Sequence, residues 1–423
     1  MDKNKSTNTN NTNNINKTKH SLKFKALIIS AVLSISLSGC SEEDVIDTGS
    51  KMVSDYIVYS IDNSNTDSIL NDSDTTLKSD EPNIIDKQPS TENQNSLDSI
   101  DTSKFYYNQL NETEQSIYNQ LLETVAGMKK STTLDLGGLS VEDISIIFRA
   151  VRYEHPEIYW IQGFKYITDE NNTSTLEFYP NYIIDKNEKS EYDTKLKVWT
   201  ERVESTVQQK ESAFEKEKEI YDFIVYNTKY NVEASLNQSL ISAVNGETVC
   251  LGFTKAMKYL CDKNNIPCVI VEGMSKSTGI AHSWNKVYID NEWYNIDLTN
   301  SSTAKIFSDT YDMFNITDEL IGKQFKEVQM TSGAITFNYP VADSIEDDYY
   351  NRNGLYITNV DELNEKLNSS SNSNSDSDNV TTITIRVATD EMMNTVSEFI
   401  KNNVSIKSIV TMDYIHLIKF QTQ

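Results

Sequence analysis

The chain has 423 residues, with 63 Asp and Glu against 38 Lys and Arg and a net charge of −25. That acidity, with no basic stripe, excludes the electrostatic footprint of a nucleic-acid binder. Four cysteines in this length exclude a disulfide-stapled scaffold.

Residues 1–25 are rich in Asn, Thr and Lys, and Lys17, Lys19, Lys23 and Lys25 precede an apolar run from Ala26 to Leu37. A run of about twelve residues is too short to span a bilayer as a helix and suits the core of a signal peptide. It ends in Leu37-Ser38-Gly39-Cys40, which resembles a bacterial lipobox. The resemblance implies that residues 1–40 are a lipoprotein signal peptide and that Cys40 is lipidated. The chain would then be anchored on the outer face of a bacterial cell membrane. The plainer alternative is an ordinary signal peptide with an incidental cysteine. Residues 41–103 carry 15 acidic residues against three lysines and few large apolar side chains. Such a segment cannot bury enough apolar surface to offset its ordering entropy and reads as a disordered acidic tether. Its ends would sit on the order of 45 Å apart. It holds −12 of the −25 charges, so about half of the acidity concerns spacing rather than a folded surface.

From residue 104 the composition turns globular. Phe105, Leu110, Ile117, Leu121, Leu122 and Val125 have helical spacing over 105–128. A second helix is expected from Ser140, a suitable N-cap, through Arg152, with Val141, Ile144, Ile147, Phe148 and Val151 on one face. His155-Pro156 breaks it, and the residue before a proline favours extended backbone, so His155 reads as structural. Phe164–Thr168 and Thr175–Pro180 form a hairpin pattern around a polar turn. Residues 185–230 read as long charged helices.

Cys250 follows the turn-like Asn245-Gly246-Glu247-Thr248. Phe253, Ala256, Met257, Leu260 and Cys261 then recur at helical intervals, which puts Cys250 in the first turn of a buried helix. The positive end of a helix stabilises a thiolate, and its unpaired amides could help to bind an oxyanion. Gly252 is costly inside a helix and points to close approach by another backbone or by substrate. Downstream, Asp290-Asn291 between Val287-Tyr288-Ile289 and Glu292-Trp293-Tyr294 is a hairpin signal. With a two-residue loop Ile289 pairs with Glu292, Tyr288 with Trp293 and Trp284 with Asp297. His282 and Asp297 then become diagonal neighbours on one sheet face. A three-residue loop would separate them. One thiol, one histidine and one carboxylate in this arrangement are the parts of a cysteine nucleophile with its base and orienter.

Beyond residue 300, Tyr311–Ile316 is a strand candidate, and Leu367–Asn379 is a second low-complexity stretch. Strand Thr382–Val387, helix Asp390–Asn402 and strands Ile406–Thr411 and Tyr414–Phe420 would form a small βαββ module. His416 would be an exposed residue of its last strand. Cys261 and Cys268 read as core residues, with a disulfide between them as the alternative. No metal site is expected, because His282 is the only nearby histidine and the cysteine spacings do not suit zinc. Trp284 and Trp293 would pair across the hairpin or line a cleft, with core packing the expected role of at least one and Trp284 the candidate substrate contact.

The runs Cys250-Leu251-Gly252-Phe253, Ile266-Pro267-Cys268, Val271-Glu272-Gly273, His282-Ser283-Trp284-Asn285-Lys286-Val287 and Trp293-Tyr294-Asn295-Ile296-Asp297 resemble the bacterial transglutaminase-like superfamily. The resemblance covers about residues 214–300, and His155-Pro156-Glu157 is similar to a segment ahead of this core in secreted members. It implies an α+β fold with a papain-like core, a catalytic helix packed on an antiparallel sheet. It also implies Cys250 as nucleophile, His282 as general base and acid, and Asp297 as orienter, with no cofactor. Where the family commonly has Trp after its Asp-x-Thr element, this chain has Asn300 and Ser301 after Thr299, so cleft shape is not carried over. The organisation expected is 1–40 signal peptide, 41–103 tether, 104–200 N-terminal α/β region, 201–335 catalytic core and 336–423 C-terminal α/β module, with the low-complexity loop at 367–379. The activity implied is acyl transfer at peptide amide bonds through a thioester, resolved by water or by an amine. Location points to cell-wall peptides or surface proteins as substrates. The alternative is a surface module of the same fold that binds peptide or glycan without turnover.

Overall fold

The computed structural model describes residues 58–60, 104–169, 172–299, 311–371 and 382–422. The signal segment with Cys40 therefore lies outside the described residues, as does the tether except for β1 (Val58–Ser60). β1 runs parallel to a longer strand, Val58 opposite Phe164, so these three residues depart from the expected disorder.

After a single turn of 3-10 helix at Tyr107–Gln109, α1 (Glu112–Ala126) begins two turns later than the apolar spacing suggested. The reason is the capping box: Asn111 accepts from the Glu114 amide while Glu114 accepts from the Asn111 amide. β2 (Thr132–Asp135) leads to α2 (Val141–Glu154), capped by Ser140 with Asp143 in the same reciprocal manner. β3 (Ile161–Asp169) and β4 (Asn172–Tyr182) form the hairpin, Tyr166 opposite Phe178. The sheet order is β1-β3-β4-β2. α3 (Lys186–Val207) and α4 (Ala213–Asn227) are the charged helices, each opened by its own capping box at Asp185 and Ser212.

The next stretch builds the site. β5 (Lys229–Tyr230), α5 (Leu240–Val244) and β6 (Glu247–Thr248) lead into α6 (Cys250–Lys263). β5 and β6 pair in parallel, Tyr230 opposite Thr248. β7 (Cys268–Ser275), β8 (Ala281–Ile289) and β9 (Glu292–Ile296) form an antiparallel sheet on which α6 packs. The turn residues Asp290 and Asn291 have φ of 47° and 73°, the left-handed pair of a type I′ turn. Ile289 lies opposite Glu292 and Tyr288 opposite Trp293, the register of a two-residue loop.

Tyr311–Ile316, expected as a strand, is a turn. Asn315 is left-handed at φ 55°, and only Ile316 bridges to Asn295. α7 (Asp318–Gln324) and β10 (Phe325–Glu327) follow, and β10 adds to the edge of β7, giving the order β10-β7-β8-β9.

α8 (Tyr349–Arg352), β11 (Tyr356–Ile357), α9 (Val360–Ser371), β12 (Thr382–Val387), α10 (Asp390–Asn403), β13 (Ile406–Met412) and β14 (Leu417–Thr422) complete the chain. The last sheet has the order β11-β12-β14-β13. α9 extends into the low-complexity stretch as far as Ser371. β14 starts later than expected because Asp413–Ile415 forms a 3-10 turn and His416 turns left-handed at φ 53°. His416 is buried, not exposed, and its Nε2 lies 2.9 Å from Asp390 and 2.8 Å from Lys323 Nζ.

One apolar cluster runs from Phe105 to Leu417 and includes Phe337 and Tyr350. A second, with Ile357, Ile385, Val387, Val396 and Phe420, lies between the C-terminal sheet and α10. Phe337, Tyr339, Tyr349 and Tyr350 thus pack with the large core, and Leu355 touches both. Charges tie the two regions. The buried Arg386 pairs with Asp348 at 2.9 Å and donates to Asp312 O at 2.8 Å, and Lys419 lies 2.9 Å from the Asp312 carboxylate. Among the described residues, no helix is long and apolar enough to cross a membrane.

Candidate active site

Cys250 is the first residue of α6, and the N-cap Val249 supplies no side-chain cap. The approach to this helix is fixed tightly. The Thr248 hydroxyl donates to Asn237 O at 2.6 Å and lies 2.5 Å from Ser242 Oγ. Gly252 is required by that hydroxyl, since a Cβ there would sit 1.8 Å from Thr248 Oγ1. The close neighbour is therefore a side chain of the preceding segment, not another backbone or a substrate.

His282 stands near the start of β8, opposite Gly273. Its Nε2 lies 2.7 Å from Asp297 Oδ2. Asp297 is completely buried, and its other oxygen accepts from the Thr299 amide at 2.9 Å. The backbone is tied as well, the Asp297 amide donating to Met313 O at 3.0 Å. The imidazole also stacks on Phe325, with ring centroids 4.2 Å apart and planes 18° from parallel. With Nε2 taken by the carboxylate, Nδ1 is the nitrogen that serves the hydrogen bond between His282 and Cys250.

Electrostatics follow from these contacts. Burial works against ionisation of Cys250, but the hydrogen bond and charge of His282, with the Ser283 hydroxyl and amide, outweigh it and lower the thiol pKa. Burial likewise disfavours a charged His282, yet Asp297 and the Cys250 sulfur push the imidazole up to about 10. The two shifts reinforce one another and favour a thiolate–imidazolium pair at neutral pH. Tyr230, brought beside the sulfur by the β5–β6 pairing, is pushed up to about 12 by burial and by Cys250, so its phenol stays neutral.

Trp284 is corrected from the expectation of a substrate contact. It is 1% exposed, its indole N–H donates to Asn295 Oδ1 at 2.9 Å, and its ring fits over Gly273, where a Cβ would lie 2.5 Å from it. Alternation along β8 puts it on the side of Phe325, in the sheet's interior layer. Cys261 and Cys268 are buried free thiols, and burial with the hydrogen bond to Cys268 pushes the Cys261 thiol up. Neither has the environment of a nucleophile. Among the described residues no group of three or more His, Cys, Asp or Glu could hold a metal ion.

Tyr230, Ser283 and Phe325 surround the three side chains and were not singled out from the sequence. Ser283 had a signal in its place directly after His282. Tyr230 and Phe325 reach the site from segments 20 residues before Cys250 and 43 residues after His282, and nothing in local patterning marks them.

Three solved structures resemble the chain at low similarity, and the chain spans about half to two thirds of their lengths. A "TGase" is 16% identical with a TM-score of 0.24, over 32% of this chain and 50% of that one. A "putative cysteine protease" of Cytophaga hutchinsonii is 14% identical with a TM-score of 0.23, over 32% and 61%. A "putative protease" of Parabacteroides distasonis is 9% identical with a TM-score of 0.22, over 61% and 64%. No curated protein matches the chain. Residues 200–298, the stretch that carries Cys250, His282 and Asp297, match the family described as the transglutaminase-like superfamily.

Proposed function

We propose that the protein is a cell-surface, thiol-dependent acyl-transfer enzyme acting on peptide amide bonds. The single observation that carries this reading is the contact chain from the Cys250 sulfur through His282 to Asp297, with 2.7 Å between imidazole and carboxylate. The Cys250 thiolate adds to the amide carbonyl, and the imidazolium gives its proton to the departing amine as the carbon–nitrogen bond breaks. The thioester left behind is resolved by water, which His282 deprotonates, or by an amine, which yields a new amide. Asp297 holds the imidazole in orientation and stabilises its charged form.

Lipidation at Cys40 would tether the domain outside the membrane, within reach of cell-wall peptides and surface proteins. Incubating the purified protein with wall peptides, with and without an added primary amine, tests the reading by product mass. Cleaved or amine-linked products that vanish in Cys250→Ala are expected. Peptide binding that is unchanged in Cys250→Ser, with no altered peptide mass, would instead mean a binding module of the same fold.

A further inference from the structure

Ser283 follows His282 on β8, and its side chain leaves the strand on the opposite side. That side faces α6, where the next-but-one residue, Asn285, donates to Thr254 O at 3.1 Å. Ser283 is only 4% exposed, and its hydroxyl, which bears on the Cys250 sulfur, has no nitrogen or oxygen partner among the described residues. The residue's amide and hydroxyl both face the Cys250 sulfur. An anionic oxygen is a stronger acceptor than sulfur, so such a partner arriving from outside would draw the hydroxyl's hydrogen. The arrangement beside the nucleophile indicates what that partner is. An oxygen on an acyl group bonded to that sulfur comes within reach of the uncapped first turn of α6 and of the Ser283 side chain, which both lie beside it.

We propose that the Ser283 hydroxyl is the side-chain donor to the oxyanion formed when the Cys250 thiolate adds to an acyl group. The proposal rests on the acyl-transfer reading above. Besides Ser283, the polar groups bearing on the sulfur are His282, with Asp297 behind it, and the Tyr230 phenol. Of these groups the Ser283 hydroxyl alone combines a hydrogen to donate with a buried oxygen that no nitrogen or oxygen engages among the described residues. Its single rotatable bond lets it turn from the sulfur toward the developing negative oxygen without moving the strand.

Two reagents separate this role from a structural one. With p-nitrophenyl acetate the thiolate adds to the ester carbonyl and the carbon–sulfur bond forms as an electron pair moves onto oxygen. Collapse of that oxyanion expels p-nitrophenolate and leaves S-acetyl-Cys250. With iodoacetamide the thiolate displaces iodide directly, and no oxyanion forms. In the full-length protein, Ser283→Ala is expected to lower the ratio of acetylation to alkylation at Cys250 by roughly 10²-fold, because the hydroxyl's support of the thiolate is lost to both reactions alike. Ser283→Thr, which keeps the hydroxyl, should restore acetylation. An acetylation-to-alkylation ratio unchanged in Ser283→Ala overturns the proposal and leaves the enzyme reading standing. Absence of acetylation at Cys250 in the parent protein, with Cys250 still open to alkylation, overturns both.

Discussion

His282 and Asp297 meet across the open end of a hairpin whose turn lies at Asp290-Asn291, imidazole Nε2 to carboxylate Oδ2 at 2.7 Å. Neither residue is in the paired ladder opposite the other. They are diagonal neighbours, and the twist of a two-stranded ribbon brings such pairs within side-chain reach.

Removing the carboxylate charge tests what that contact does. Asp297→Asn keeps the shape of the side chain but removes the group that raises the His282 pKa and offers an amide in place of an acceptor oxygen. We expect turnover on a responsive peptide to fall on the order of 10⁴-fold. The alkylation profile of Cys250 should move to higher pH, since the imidazolium that supports the thiolate is lost.

The lowered thiol pKa predicts selective labelling. At pH 7 iodoacetamide should modify Cys250 well ahead of Cys261 and Cys268, which are fully buried. As pH falls, the Cys250 rate should persist below the range where an ordinary thiol, with its pKa of 9.0, has stopped reacting. Peptide mapping by mass spectrometry reads both, and equal labelling of the three thiols in the folded protein would count against the ion pair.

Glu217 gives the fold a pH dependence of its own. It is completely buried, Asn315 donates to one of its oxygens at 2.9 Å, and burial pushes its pKa up to about 8. Between its ordinary value of 4.5 and about 8 the folded chain holds a proton that the unfolded chain has lost. The stabilisation is complete below pH 4.5 and disappears as pH rises through 8, a loss on the order of a few kcal/mol. Glu217→Gln should flatten the decline in melting temperature over that window and be the more stable form at pH 9.

Gly252→Ala should destabilise the protein by about 1–3 kcal/mol, because the new Cβ would meet Thr248 Oγ1 at 1.8 Å. If that clash is the cause, combining it with Thr248→Ala should cost less than the sum of the two single changes. Urea unfolding of the four proteins measures the coupling, and strict additivity would mean that the helix is hurt for another reason.

Much of the site was legible because it rests on local rules. A two-residue turn of Asp and Asn fixes the parity of every residue on β8 and β9, so the meeting of His282 with Asp297 follows from counting. The helical spacing after Cys250 gives α6 in the same way. What could not be read depends on distant contacts. Trp284 has the aromatic character of a cleft wall, and only the pairing of Gly273 with β8 and the approach of Asn295 show that it is enclosed. Phe325 comes to the imidazole because a three-residue strand joins the edge of β7, which no periodicity announces. The run Tyr311–Ile316 has strand-like residues, but the left-handed Asn315 turns the chain toward α7 instead.

The phenyl ring lying flat against His282 constrains how a proton travels. To exchange its two nitrogens the imidazole must swing through an edge-on position, and Phe325 occupies that space. A hydrogen taken up from the thiol therefore stays on the face turned to the acyl group, ready for the departing amine, while the nitrogen held by Asp297 never visits the reaction. Traffic through this imidazole is confined to one nitrogen.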